Sequence, residues 1–201
     1  MLRVGLTGGL ASGKSFVGES LAAMGCHLLK ADELGHRLLE PGTEVHERVV
    51  EAFGRGILDE EGRIVRRRLA SLVFEDPEKL AALNAIVHPA VIEEEEKWMR
   101  EVAAADPHGI AIVEAAILIE TGSYRRFDKI VLAVCTDEQQ IERAMKRDGL
   151  TREEALARLK RQMPLEEKRK FADYVIDTSG EKEDTLVQVR RLYEDLRRLA
   201  S

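Results

Sequence analysis

Residues 8–15 read Gly-Gly-Leu-Ala-Ser-Gly-Lys-Ser, a G-x-x-x-x-G-K-S pattern. The short apolar run "LRVGLT" (2–7) precedes it, and "KSFVGESLAAMG" follows with apolar residues at helical spacing and a stop at Gly25. A buried strand, a glycine turn and a helix in that order restrict the chain to an α/β architecture. They also define a chemistry. Glycines let the backbone wrap closely and aim several N–H groups inward at phosphate oxygens. The helix that opens at Lys14 adds its positive dipole end. In this context Lys14 is expected to bridge β- and γ-phosphates and the Ser15 hydroxyl to bind Mg²⁺. The predicted nucleotide-binding residues are Gly8, Gly9, Leu10, Ala11, Ser12, Gly13, Lys14, Ser15 and Phe16.

The strand pattern returns at 26–31, 109–118, 129–136 and 172–180, which predicts a parallel sheet of about five strands. Helical patterns are read over 32–40, 43–53, 66–75, 77–104, 137–148, 151–162 and 182–199, the two before and after Gly149 meeting at that turn. Two helical blocks, at about 35–105 and 138–170, therefore interrupt the strand–helix alternation, and such insertions are where specificity and lids reside. The acidic run Glu93–Glu96 reads as a solvated helix face.

The 201 residues suffice for one core domain with insertions. Aromatics are only 4%, so Leu, Val, Ile and Ala must fill the core. A net charge of −6 argues against nucleic acid and anionic membranes as partners. Cys26 and Cys135 have neither C-x-x-C spacing nor a nearby His pair, and read as reduced thiols of a cytoplasmic protein. The sequence enters its first strand without a signal-peptide pattern, and no apolar run approaches the roughly 18–20 residues that span a bilayer.

Phosphoryl transfer also needs an acceptor oxygen held in line and a group to orient or deprotonate it. Asp32 ends the second predicted strand, where strand carboxyl ends line a ligand crevice; it serves equally well as a cap for the following helix. Glu114 ends "IAIV", the place of an acid that orders a metal shell, or of an ordinary polar strand end; Glu120 is a second acid six residues on. Arg143 and Arg147 lie four apart on one helix face, suited to transition-state charge or to surface pairing with Glu142 or Asp148. His88, before Pro89 in a helical block, is structural or acceptor-binding. A regulatory GTPase switch is disfavoured, because "IVLAV" is followed by "CTDEQQ" and not by an N-K-x-D guanine reader.

The segments "ADELGHRLLEPG" (31–42), "RRRLASLVF" (66–74), "LNAIVHPAVI" (83–92), "ILIETGSY" (117–124), "RAMKRDGLTREEA" (143–155), "RQMPLEEK" (161–168) and "ADYVID" (172–177), together with the glycine loop, resemble the dephospho-coenzyme A kinase family nearly end to end. The resemblance implies a P-loop NTPase three-layer sandwich with a helical acceptor-binding insertion and a helical lid. Its implied limits are a nucleotide core of 1–34, 106–137 and 171–201, an acceptor domain of 35–105 and a lid of 138–170. It implies ATP-dependent phosphorylation of the ribose 3′-hydroxyl of dephospho-coenzyme A, with ATP and Mg²⁺, in a monomer or small homo-oligomer. Lys14, Asp32, Arg143 and Arg147 would be catalytic, and Ser15 and Asp32 would serve the metal. Thr7, Asp32, Arg66, His88, Glu114 and Leu118 would meet the acceptor. Another small-molecule or nucleoside monophosphate kinase of the same fold is the nearest alternative. The chain departs from the family pattern at Ala116, where many relatives carry Pro, and at Thr178, where they commonly carry Asn.

Overall fold

The computed structural model describes residues 1–74 and 76–201. In chain order its elements are β1 (Leu2–Gly8), α1 (Lys14–Ala23), β2 (His27–Lys30), α2 (Ala31–Leu38), α3 (Glu44–Phe53), α4 (Arg66–Phe74) and α5 (Pro77–Ala105). These are followed by β3 (Ile110–Glu114), β4 (Lys129–Val134), α6 (Asp137–Asp148), α7 (Arg152–Leu159), α8 (Leu165–Arg169), β5 (Tyr174–Asp177) and α9 (Lys182–Ala200). The chain divides into two compact units, 1–30 with 99–201, and 31–98.

In the first unit, the described residues form a five-stranded sheet in the order β2-β3-β1-β4-β5, every pair parallel. β1 lies at its centre and is buried on both faces: Val4 and Leu6 on one, beside the fully buried Ile112 and Val131 of its two neighbours, and Gly5 and Thr7 on the other. The connection from β1 leads toward β2 on one side, and the connection from its neighbour β3 leads to β4 on the other. That reversal opens a crevice at the carboxyl end of β1, where the glycine loop begins. α1 and α9 pack together on the sheet, with Val17, Leu21, Val189 and Leu196 fully buried. A separate apolar cluster joins Leu10 of the loop to Ile141 and Ala144 of α6 and Ala155 of α7. The loop is therefore packed from below and does not hang free.

Local signals explain the helix limits. Thr136 and Thr151 each close a capping box, with Gln139 and Glu154, at the starts of α6 and α7. Gly149 ends α6 with φ 67°, as its turn signal predicts. The expected strand at 109–118 stops at Glu114: Ala115 makes one last bond to the Leu6 carbonyl at 3.0 Å, and Leu118 stays buried outside the ladder. A continuous apolar run marks burial without distinguishing strand from buried loop. The five-residue α8 has too few turns to show a period and is absent from the sequence reading.

The second unit is helical. Val45 and Val49 of α3 meet Leu69 and Val73 of α4 around Ile57, which sits in a short 3₁₀ turn. Thr43 caps α3 by accepting from the His46 N–H at 3.1 Å. α4 covers most of the helix expected at 66–75; residue 75 itself lies outside the described residues. α5 runs through Pro89, which costs it one backbone donor toward the preceding turn. The expected solvated face at Glu93–Glu96 is corrected at one position: Glu95 is 3% exposed. It lies one and two turns before the buried Met99 and Val102 of the same helix, so the helical period turns it inward.

Both cysteines are unbridged, and burial pushes the Cys26 thiol up to about 12. Among the described residues, no helix is long and apolar enough to cross a membrane.

Candidate active site

The loop after β1 is strained and tightly walled. Ala11 has φ 48°, a left-handed backbone that costs an alanine about 1 kcal/mol and persists only where its surroundings hold it. Gly13, at φ 84°, immediately precedes α1 and faces Thr178, so a side chain there would be both strained and crowded. A Cβ at Gly9 would come within 2.1 Å of Gln140 Oε1. Only glycine lets the backbone approach so closely.

Lys14 and Ser15, the first residues of α1, converge on Glu114 at the end of β3. The Ser15 hydroxyl donates to Glu114 Oε1 at 2.5 Å, and Lys14 Nζ stands 4.0 Å from the same oxygen. Glu114 is 5% exposed and its Oε2 is buried without a hydrogen-bond partner. A buried, unsatisfied carboxylate oxygen beside a serine hydroxyl offers two of the oxygen donors that a hard cation takes.

A cavity of about 220 Å³ opens over the loop, lined by residues 11–15 together with Arg143 and Arg147. The i,i+4 spacing on α6 thus brings both arginines to the loop, although each also has a protein partner. Arg147 grips Asp148 with two bonds of 2.7 and 2.9 Å. Arg143 donates to Thr178 Oγ1 at 3.2 Å and to the Thr178 carbonyl at 2.7 Å. The Thr178 hydroxyl in turn lies 2.7 Å from the Ser12 carbonyl and 3.1 Å from that of Val134. Thr178 is therefore turned inward, joining the end of β5, the loop and α6 through one hydroxyl. Thr178→Val keeps the shape and removes the hydroxyl, leaving Arg143 and the Ser12 carbonyl short of a partner. It is expected to lower stability by about 1–3 kcal/mol, read from the urea midpoint. An unchanged midpoint would show that water replaces the hydroxyl.

Other predicted residues of this unit are placed behind the loop. Thr7 is fully buried and donates to the Ala116 carbonyl at 3.3 Å. Leu118 is 2% exposed and packs where Gly5 lacks a side chain. Phe16 carries Lys182 over its ring at 5.6 Å.

In the helical unit, Asp32 lies within the first turn of α2, exposed, and His36 follows one turn later. Burial and the Arg66 guanidinium hold His36 below the usual imidazole range, against the pull of Asp32 and Glu33. Asp32, His36 and Arg66 thus share one electrostatic neighbourhood, and His36 is the member that sequence reasoning missed. Burial also lowers His88, which keeps its imidazole neutral at pH 7.

Comparison with known proteins bears on the family and the fold. A family model described as dephospho-CoA kinase matches residues 2–184. A dephospho-CoA kinase of Aquifex aeolicus is 45% identical over 98% of this chain and 99% of its own. Among solved structures, a Thermus thermophilus protein superposes with a TM-score of 0.82 at 35% identity, covering 96% of both chains. A dephospho-CoA kinase from Campylobacter jejuni superposes at 0.73 with 25% identity, covering 99% of this chain and 98% of its own. Matched over nearly its whole length by model, sequence and fold, the chain belongs to the dephospho-CoA kinase family.

Proposed function

We propose that the chain transfers the γ-phosphoryl group of ATP to the ribose 3′-hydroxyl of dephospho-coenzyme A, giving coenzyme A and ADP in the last step of coenzyme A biosynthesis. The observation that carries this is the cavity over the glycine loop, walled by Lys14, Ser15, Arg143 and Arg147, in a chain of this family. It is a site for a polyphosphate, with cations on several sides.

Transfer is direct. The 3′-oxygen forms its bond to the γ-phosphorus as the bond to the ADP oxygen breaks, and the hydroxyl proton leaves toward Asp32 as base or orienter. The loop N–H groups hold the phosphates, while Lys14, Arg143 and Arg147 neutralise the charge that develops. Mg²⁺, when bound, would supply further neutralisation of phosphate charge; Ser15 would hold it, and Glu114 and Asp32 would be the acids that order its site. Glu114 supports that assignment through its buried, unpartnered oxygen. Residues 35–105 bind the acceptor, through Arg66 and His88 among others, and 138–170 act as the lid that excludes water. Thr7, Glu114 and Leu118 are buried and would serve the acceptor side only by supporting its walls from behind. The protein works in the cytoplasm as a monomer or small homo-oligomer.

The alternative is another small-molecule kinase of the same fold. Steady-state turnover with dephospho-coenzyme A, AMP, CMP and shikimate at equal concentrations separates the two. A kcat/KM for dephospho-coenzyme A at least about 10³-fold above the others is expected, the discrimination of a site built to hydrogen-bond its substrate. Faster turnover of any competitor overturns the assignment.

A further inference from the structure

Lys168 is the largest side chain that is fully buried, and none of the transfer chemistry above uses it. It projects from the short helix α8. Its ammonium donates to the Gly8 carbonyl at 3.1 Å and to the Ala116 carbonyl at 2.8 Å, and it pairs with Glu120 Oε1 at 2.9 Å. An ammonium has three N–H groups, and here each has its own oxygen. Burying a charge is costly unless it is paired and fully hydrogen-bonded, so this arrangement is a specific one.

The three oxygens belong to different parts of the site. Gly8 is the first residue of the glycine loop, Ala116 stands two residues past Glu114, and Glu120 closes the same segment by also accepting the Met163 N–H at 3.2 Å. The Ala116 carbonyl is shared with the Thr7 hydroxyl. Peptide bonds in the described residues are trans, so a Gly8 carbonyl drawn toward Lys168 turns the Gly9 N–H the opposite way. One ammonium thereby orients the first peptide of the loop and the backbone that follows β3.

We propose that Lys168 is a positioning residue for phosphoryl transfer: it does not touch the phosphates, but sets the glycine loop and the segment after β3 in their working geometry and links both to the region after α7. Two charged groups act on it, Glu120 from the segment after β3 and Lys14 from α1. Burial and Lys14 pull the ammonium below the usual lysine range, and Glu120 holds it up. The working state is the charged one, so turnover falls as pH rises through this group.

The inference rests on the kinase reading above, and wild-type turnover of dephospho-coenzyme A is the reference that tests that reading on its own. With it in hand, two variants test Lys168. Lys168→Met keeps the length of the side chain and removes all three bonds. Its kcat is expected to fall about 10²-fold, the cost of a small misplacement of reacting groups, while ATP affinity from calorimetry falls about tenfold less. Glu120→Gln leaves an acceptor for Lys168 and Met163 but removes the charge. Its kcat–pH profile should keep the acid limb and shift the alkaline limb about one unit lower, because the ammonium has lost the carboxylate that sustains it. A merely structural lysine would not move that limb. A folded Lys168→Met with kcat within threefold of wild type overturns the proposal, as does an equal loss of affinity and turnover. If Lys168→Met does not fold, superimposable pH profiles for Glu120→Gln and wild type overturn it instead.

Discussion

Lys14→Met is expected to reduce kcat by about three orders of magnitude while leaving the protein folded. The reason is where the ammonium stands. Lys14 begins α1 at the mouth of the cavity and is 12% exposed, so its charge is only weakly screened by water. Its distance of 4.0 Å from Glu114 is long for an ion pair, which leaves the ammonium able to follow charge as it moves from the γ-phosphoryl to the leaving oxygen. Removing one preorganised donor of that kind from a dry site costs about 10²–10³ in turnover, and the loss of a full charge lies at the upper end. Methionine preserves the stem that packs at the start of the helix. The unfolding midpoint should therefore drop only modestly, through Glu114 losing a neighbouring cation. Lys14→Arg should be impaired as well, since a planar fork cannot occupy the place of a compact ammonium in a loop this close. Single-turnover rates with saturating ATP read the effect directly. A Lys14→Met enzyme within tenfold of wild type would show that the arginines of α6 carry the charge instead.

How much of this was legible beforehand depends on whether the chemistry is written in local spacing. The glycine loop was, because its function requires glycines at fixed offsets between a strand and a helix, and Gly13 with φ 84° shows that requirement directly. The Arg143–Arg147 pair was legible for a similar reason: four residues is one helical turn, and both reach the cavity. The partners of Arg143 were not legible. Thr178 lies 166 residues from Ser12 in the chain, and no periodicity relates a threonine after β5 to a carbonyl in the loop. Lys168 was hidden in "LEEKRK", where its neighbours are charged and exposed and composition alone reads as surface. It is buried because α8 is placed by contacts with β4 and the loop, and those are tertiary. Glu95 was misread for the converse reason: four adjacent carboxylates suggest solvent, but a helix turns one of every three or four residues inward.

Asp32→Asn is the variant that separates the two readings of the second residue on which the mechanism depends. Asp32 lies in the first turn of α2 beside Glu33, where a carboxylate stabilises a helix through its dipole. If that were its whole role, asparagine would cost about 0.3–1 kcal/mol of stability and nothing in rate, and Glu33 would remain to offset part of the loss. The transfer reading makes the reverse prediction. The carboxylate accepts or orients the 3′-hydroxyl proton, so kcat should fall about 10²–10⁴-fold, the usual contribution of a positioned base. The KM for dephospho-coenzyme A should change only a few-fold, because asparagine keeps one oxygen that can accept from the hydroxyl. The chain itself supports the catalytic side. Asp32 shares its charge environment with His36 and Arg66 of the same helical unit. Asp32→Glu should recover little, since an added methylene displaces the carboxylate by more than an in-line displacement tolerates. Near-normal kcat in Asp32→Asn with a lowered melting temperature would return this residue to the helix alone, and the proton would then have to leave to water.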